Sequence, residues 1–274
     1  MVNIKDNNNM NVQNSNDPEI PNDAIERFKA DGFVILENLC PEGILKQLLE
    51  VSQHRLLEVH KALENKDIGI GSAKGYLEIC QRSPGRWDSP IAPRDFGIDL
   101  QKLPWLPFIS VLLEDNVEFN MSGVISSEPN TSTPQEWHID SPHLVGEHIP
   151  VHALHVLVAL VDIPLEMGPT EFARGSHLLT NHLSSTSLMS DEMVYQHSGT
   201  NPESLVSGTE HPIPERVKNA VSAGSCIVFD ERVLHRGNAN VTDQHRHVAY
   251  FAYHKNGYEA DTYFESKRSV FEAY

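Results

Sequence analysis

Four stretches in the second half of the chain, VEFNMSGVISSE, VHALHVLVALVDI, SCIVFDERVLH and HRHVAYFAYHK, are dense in Val, Ile, Phe and Tyr, and turns bearing glycine and proline separate them. β-Branched and aromatic residues in runs of this length favour extended backbone, where their stiff side chains pack across neighbouring strands. Several such strands must be stacked in layers or closed into a barrel before their faces and edges are covered. The first half reads differently. Pro21 and Asn22 precede apolar positions Ile25 and Phe28 at helical spacing, Gly32 stops that helix, and FVIL follows as a short strand. From Pro41, the positions Ile44, Leu48, Leu49, Val51, Leu56, Leu57, Val59 and Leu63 fall mainly on one helical face. Helices first and strands afterwards predict an α+β chain whose working part is a β-sandwich or barrel.

With 274 residues and 39% hydrophobic content, the chain is long enough for one large domain. Residues 1–17 are rich in asparagine and poor in large apolar groups, so they are expected to be a disordered leader to a single domain at 18–274. No charged segment followed by an apolar one opens the chain, and no apolar run approaches the roughly 20 residues that span a bilayer. Cys40, Cys80 and Cys226 are odd in number and widely spaced, which argues against a disulfide framework and a structural zinc site and favours a reducing cytoplasm. A formal net charge of −17 opposes broad binding to nucleic acid or anionic membrane, but one local arginine is enough for a small anionic ligand. A homodimer is compatible with this reading, which fixes no oligomeric state.

Residues 67–107 crowd glycine and proline into GIGSAKG, RSPGRWDSPIAP and LPWLP and are expected to form a long irregular region. Within it, Tyr76, Arg82, Arg86, Trp87 and Asp88 mix aromatic and charged groups in a segment that could close over a site. Tyr76, Arg86 and Trp87 are therefore candidate substrate contacts. Packing is an equal alternative for Trp87, and a surface ion pair for Arg86 with Asp88.

The stretch EWHIDSPH places His138 and Asp140 two residues apart, so on a strand both would project to one face. Roughly one such pair is expected by chance in a chain of this composition, and the pair alone proves little. His235, close to the RGNAN turn, is the candidate third ligand. Two histidines and one carboxylate on one face of an octahedron leave three positions open, as in non-haem Fe(II) oxygenases, although zinc sites use the same ligand types. Arg246 follows on the strand after the turn. If a hairpin joins the two segments, it brings a permanently charged fork into the same cavity.

Taken together, His138-Ile139-Asp140, His235, Arg246, the phrase GPTEFARGSH and the opening GFVILENLCPEGILKQL resemble the phytanoyl-CoA dioxygenase family, over about residues 20–255. Arg174 departs from the pattern, standing where the family usually has proline. The resemblance implies a double-stranded β-helix, a cupin-like jelly roll with flanking helices. It also implies Fe(II) held by His138, Asp140 and His235, and 2-oxoglutarate as co-substrate with its far carboxylate on Arg246. Gln135 and Thr170 resemble further co-substrate contacts. The implied activity is that of a 2-oxoglutarate-dependent dioxygenase, consuming O2 and oxidising a C–H bond of a small organic substrate, plausibly a natural product. The outcome could be hydroxylation, desaturation or cyclisation; halogenation is disfavoured because Asp140 is retained. Two alternatives stay open: an acyl-CoA hydroxylase, and a non-enzymatic cupin-like protein that binds a metal or ligand. His143, His148, His152, His155, His177, His245 and His247 also cluster near the expected site and read mostly as turn or strand residues with ordinary hydrogen bonds, His177 as a structural turn residue.

Overall fold

Gly32 adopts φ = 82° directly after helix α1 (Ala24–Asp31) and donates its N–H to the carbonyl of Phe28 at 2.8 Å. This left-handed cap, which glycine adopts without penalty, turns the chain into strand β1 (Phe33–Leu36). The computed structural model describes residues 20–141, 149–178, 215–258 and 266–272; the expected leader at 1–17 lies outside them. Helix α2 (Glu42–Leu63) buries Leu48, Ser52, Leu56 and Val59, a stripe at helical spacing that rests on the central strands. Leu57, expected on the same stripe, points to solvent and is 71% exposed, because it is one residue of helical rotation from Leu56.

The glycine- and proline-rich region is more ordered than its texture predicts. It forms a hairpin of β2 (Cys80–Ser83) and β3 (Arg86–Pro90), followed by the short helix α3 (Pro93–Phe96) and then α4 (Leu106–Leu112). Gly85, with φ = 71°, supplies the tight turn between the two strands. These strands lack a simple apolar alternation because the buried Arg86 and Asp88, and Arg82 paired with Asp88, stand where apolar residues would mark an inward face, which hid them from a hydrophobic pattern.

The remaining strands are β4 (Val117–Ser127), β5 (Ala153–Ala159), β6 (Thr170–Ala173), β7 (Arg216–Lys218), β8 (Cys226–Asp230), β9 (His235–Gly237) and β10 (Arg246–Lys255). Seven strands pair in the order β1-β8-β5-β10-β4-β3-β2, and three in the order β7-β6-β9, with antiparallel pairing throughout. Phe33, Leu157, Phe229 and Tyr250 of the large sheet meet Phe172 of the small one in an inner core. On the other face of the large sheet, Leu154, Val156, Val158 and Phe251 pack against Phe28, Leu48 and Phe108 from the helices. The alternation along β5 thus feeds two cores at once, which is why its sequence is an unbroken apolar run. The architecture is a double-stranded β-helix with flanking helices. No helix among the described residues is long and apolar enough to cross a membrane.

Candidate metal centre

Three of the expected ligands come together. One donor atom each from His138, Asp140 and His235 lies within 4.8 Å of the others. The two histidines face each other across an isolated antiparallel bridge, each donating its backbone N–H to the other's carbonyl at 3.0 and 2.9 Å. Only this bridge is extended: the segment from Thr131 to Ser141 forms no continuous strand, in contrast to the strand expected there. Nε2 of His138 lies 3.7 Å from Oδ1 of Asp140, and Nε2 of His235 lies 3.6 Å from Oδ2. The other ring nitrogens face backbone, with Nδ1 of His138 at 2.8 Å from the carbonyl of Glu136 and Nδ1 of His235 at 3.0 Å from that of Val233. A carbonyl can only accept, so Nδ1 carries the proton in both rings and Nε2 is left as the lone-pair donor, the tautomer a metal ligand needs.

Burial and charge favour the same protonation states. Burial, helped by the neighbouring His235, holds His138 down to about 3; burial also lowers His235 against the pull of Asp140. Burial by itself would raise Asp140, but His235, His155 and His138 outweigh it and lower its carboxyl below the usual range. Two neutral imidazoles and one carboxylate, with donor atoms this close together, fit a divalent cation. Phe229 and Phe172, with ring centroids 4.7 and 5.8 Å from that of His235, fix its plane.

Arg246 is also in place, but it arrives by a different route. β9 and β10 belong to different sheets, so no hairpin joins them. The chain crosses between the sheets over Asn240, which is fully buried and donates Nδ2 to the carbonyls of Glu128 at 3.0 Å and Gln244 at 2.7 Å. Its Oδ1 accepts from the Thr242 hydroxyl at 2.7 Å. The guanidinium of Arg246 is buried and donates to three neutral acceptors: the carbonyls of Met167 at 3.1 Å and Asn238 at 3.2 Å, and the Ser127 hydroxyl at 2.7 Å.

Arg86 stands beside it. Ser127 lies between the two arginines in the strand register, and Nη1 of Arg86 is 3.5 Å from its hydroxyl. The Arg86 guanidinium covers the backbone of Gly237, where any Cβ would collide with it. Burial lowers Arg86 to about 10, although Asp88 opposes this, and among the described residues its Nε has no hydrogen-bond partner. Arg82 is neutralised by Asp88, at 2.7 Å. Thr170 lies opposite Gly237 in the register, and the side-chain amide of Gln135 reaches to 3.3 Å from Nε2 of His138.

Tyr76 and Trp87 are not brought to this cluster. Tyr76 is buried with Val59, Ile79 and Val270, under the guanidinium of Arg268. Trp87 points to the helix side, donating to Glu128 at 2.8 Å and packing against His60. Arg174 is a half-exposed partner of Asp31 and Glu215, and His177 is a buried neighbour of α1 whose Nε2 lies 3.1 Å from the Lys29 carbonyl. His143 and His148 lie outside the described residues. Sequence reasoning passed over Ser127, Gly237 and Glu231, and grouped His155 with six other histidines near the site without singling it out. Only the buried acid within DERVLH carried a signal, as a charge inside an otherwise apolar strand end.

Comparison with solved structures places the fold in known company. AviO1 from Streptomyces viridochromogenes Tue57 matches with a TM-score of 0.59 at 17% identity, over 87% of this chain and 96% of that one. HygX from Streptomyces hygroscopicus, solved with nickel and 2-oxoglutarate bound, matches with a TM-score of 0.57 at 13% identity, over 89% and 91%. The epimerase SnoN, in complex with Fe3+, alpha ketoglutarate and nogalamycin RO, matches with a TM-score of 0.53 at 22% identity, over 85% and 82%. The family model described as phytanoyl-CoA dioxygenase matches residues 28–248, a span that takes in His138, Asp140 and His235, the neighbouring Arg86 and Arg246, and most of the two sheets. The chain belongs to the phytanoyl-CoA dioxygenase family.

Proposed function

We propose that the protein is an Fe(II)- and 2-oxoglutarate-dependent oxygenase that acts on a small organic molecule. The observation that carries this reading is the pairing of a two-histidine, one-carboxylate cluster with a buried arginine whose partners among the described residues are all neutral. A buried cation without a counter-charge is costly unless a ligand supplies one, and a dicarboxylate anchored on the metal at one end supplies it at the other. His138, Asp140 and His235 would hold the iron. Arg246 would receive the far carboxylate of 2-oxoglutarate, with Thr170 and Gln135 as neighbours. Arg86, expected from sequence as a substrate contact, touches the same Ser127 hydroxyl as Arg246 and fits the co-substrate better.

When bound, iron, 2-oxoglutarate and O2 together would supply the power to remove hydrogen from an unactivated C–H bond, O2 being the oxidant and 2-oxoglutarate being decarboxylated to succinate and carbon dioxide. The chain's own part is to fix the tautomers of the two histidines, present positive charge to the co-substrate and line the inner core with Phe172, Phe229 and Leu157. Related proteins extend the reading to natural-product chemistry, since the SnoN complex holds nogalamycin RO. That enzyme is an epimerase, so radical outcomes other than hydroxylation belong within the proposal. The test is anaerobic addition of Fe(II) and then 2-oxoglutarate to the full chain. A weak visible charge-transfer band, followed by succinate release on admitting O2, is expected; no band and no succinate would sink the proposal.

A further inference from the structure

The segments 135–141 and 231–237 run antiparallel as a ribbon, and the end away from Arg246 carries a carboxylate that the ligand set does not require. Glu231 is 1% exposed and lies in a turn clamped by the bidentate pair of Arg232 with Asp230, at 2.8 and 2.6 Å. Its backbone carbonyl accepts from the N–H groups of Asp140 at 2.8 Å and Ser141 at 3.2 Å, and its Oε2 accepts from the Ser141 hydroxyl. Its Oε1 lies 3.3 Å from Nδ1 of His155. The same nitrogen lies 3.5 Å from Oδ2 of Asp140. His155 is not a member of the donor cluster, so it approaches the centre through Asp140. Its ring stacks on Phe229 at 5.3 Å and meets Tyr250 edge-on at 6.2 Å, so its orientation is set by packing.

We propose that His155, oriented by Glu231, is a positioning residue for the carboxylate ligand. Its Nδ1–H, shared between Oε1 of Glu231 at 3.3 Å and Oδ2 of Asp140 at 3.5 Å, would restrain Oδ2 and leave Oδ1, the oxygen nearer His138, as the one available to a metal. A carboxylate free to turn can bind through both oxygens and fill a position that the co-substrate or O2 needs; a fixed donor on one oxygen prevents this. Glu231 keeps the proton on Nδ1, as a carboxylate does for a histidine it faces. The inference rests on the reading of His138, Asp140 and His235 as a metal site.

Co(II) titration of the metal-free full chain tests it, because the intensity and position of Co(II) visible bands report coordination number without any turnover. His155→Leu is expected to lower Co(II) affinity about tenfold to a hundredfold and to change the band pattern. His155→Asn, whose amide N–H replaces Nδ1–H, is expected to retain the native bands and an affinity within about threefold of native. A folded His155→Leu protein with native affinity and native bands would overturn the proposal. Should His155→Leu fail to fold, Glu231→Gln carries the test: altered bands support positioning, and native bands with native affinity overturn it. A native chain that takes up no Co(II) would remove the metal-site reading itself, an outcome distinct from a native chain that binds and a His155→Leu variant that binds equally well.

Discussion

The two ends of the ribbon that holds the metal cluster are built on opposite electrostatic plans. At the Gly237 end, Arg246 and Arg86 are both buried with neutral or weak partners, so positive charge is fixed in advance of any ligand. At the Glu231 end, charges are compensated within the protein: Asp230 by Arg232, and the Glu231 carboxylate by Ser141 and His155. An uncompensated buried charge is a demand for a ligand, whereas a satisfied network is a device for holding a geometry. On the reading proposed above, the first end selects what binds, and the second controls how one metal ligand is presented.

The sharpest way to break this comparison is Arg246→Ala. Loss of a buried charged anchor for a carboxylate should weaken 2-oxoglutarate binding about a hundredfold, or about 3 kcal/mol, read from the visible band in an anaerobic titration. Metal affinity measured without co-substrate should stay within about twofold; an equal loss of both would mean that the ends are not separate. Gly237→Ala should act on the same end more mildly. Its methyl group would displace the Arg86 guanidinium, raising the 2-oxoglutarate dissociation constant about tenfold with metal binding unchanged. An unaltered constant would place Arg86 outside the co-substrate's reach.

The smallest effect on either end is expected at His247, on the helix side of the large sheet. Its Nδ1 lies 2.9 Å from the Ser52 hydroxyl and 3.0 Å from that of Ser126, and burial, followed by His245, lowers it to about 4. An unfolded histidine takes up a proton near pH 6.5. The folded state resists protonation until about pH 4, so stability is present above pH 6.5 and is lost as pH falls from there towards 4. His247→Asn should reduce the stability lost between pH 7 and pH 5 by no more than about 2 kcal/mol, measured by urea unfolding. Co(II) and 2-oxoglutarate affinities should not change.

The sequence disclosed some of this and concealed the rest for identifiable reasons. Helix α1, its Gly32 stop and the apolar strands were legible because period and turn chemistry are local properties. His138, Asp140, His235 and Arg246 were legible as a set because their order and spacing are rare in combination, although His-x-Asp alone is not. The hairpin of β2 and β3 was concealed because the charges that line the site erase the alternation by which strands are recognised. His155 was grouped with six other histidines near the site, but its place inside an apolar run gave no mark to separate it from those six. Tyr76 and Trp87 read as cavity residues because an aromatic group near glycine looks the same whether it packs a core or a ligand.

By itself, the sequence determined the secondary-structure texture, the candidate donor set of two histidines and one carboxylate, and the presence of an arginine suited to an acid. Tertiary structure decided which charges would be left unpaired. Whether Arg82, Arg86 or Arg246 remains free for a ligand depends on which acid each meets across strands, and Asp88 meets Arg82. It also decided that β9 and β10 lie on separate sheets, so that Arg246 reaches the site over the buried amide of Asn240 and not along a hairpin. Pairings of this kind join residues far apart in the chain, and their free energies depend on burial and distance, neither of which is written in a linear order of amino acids.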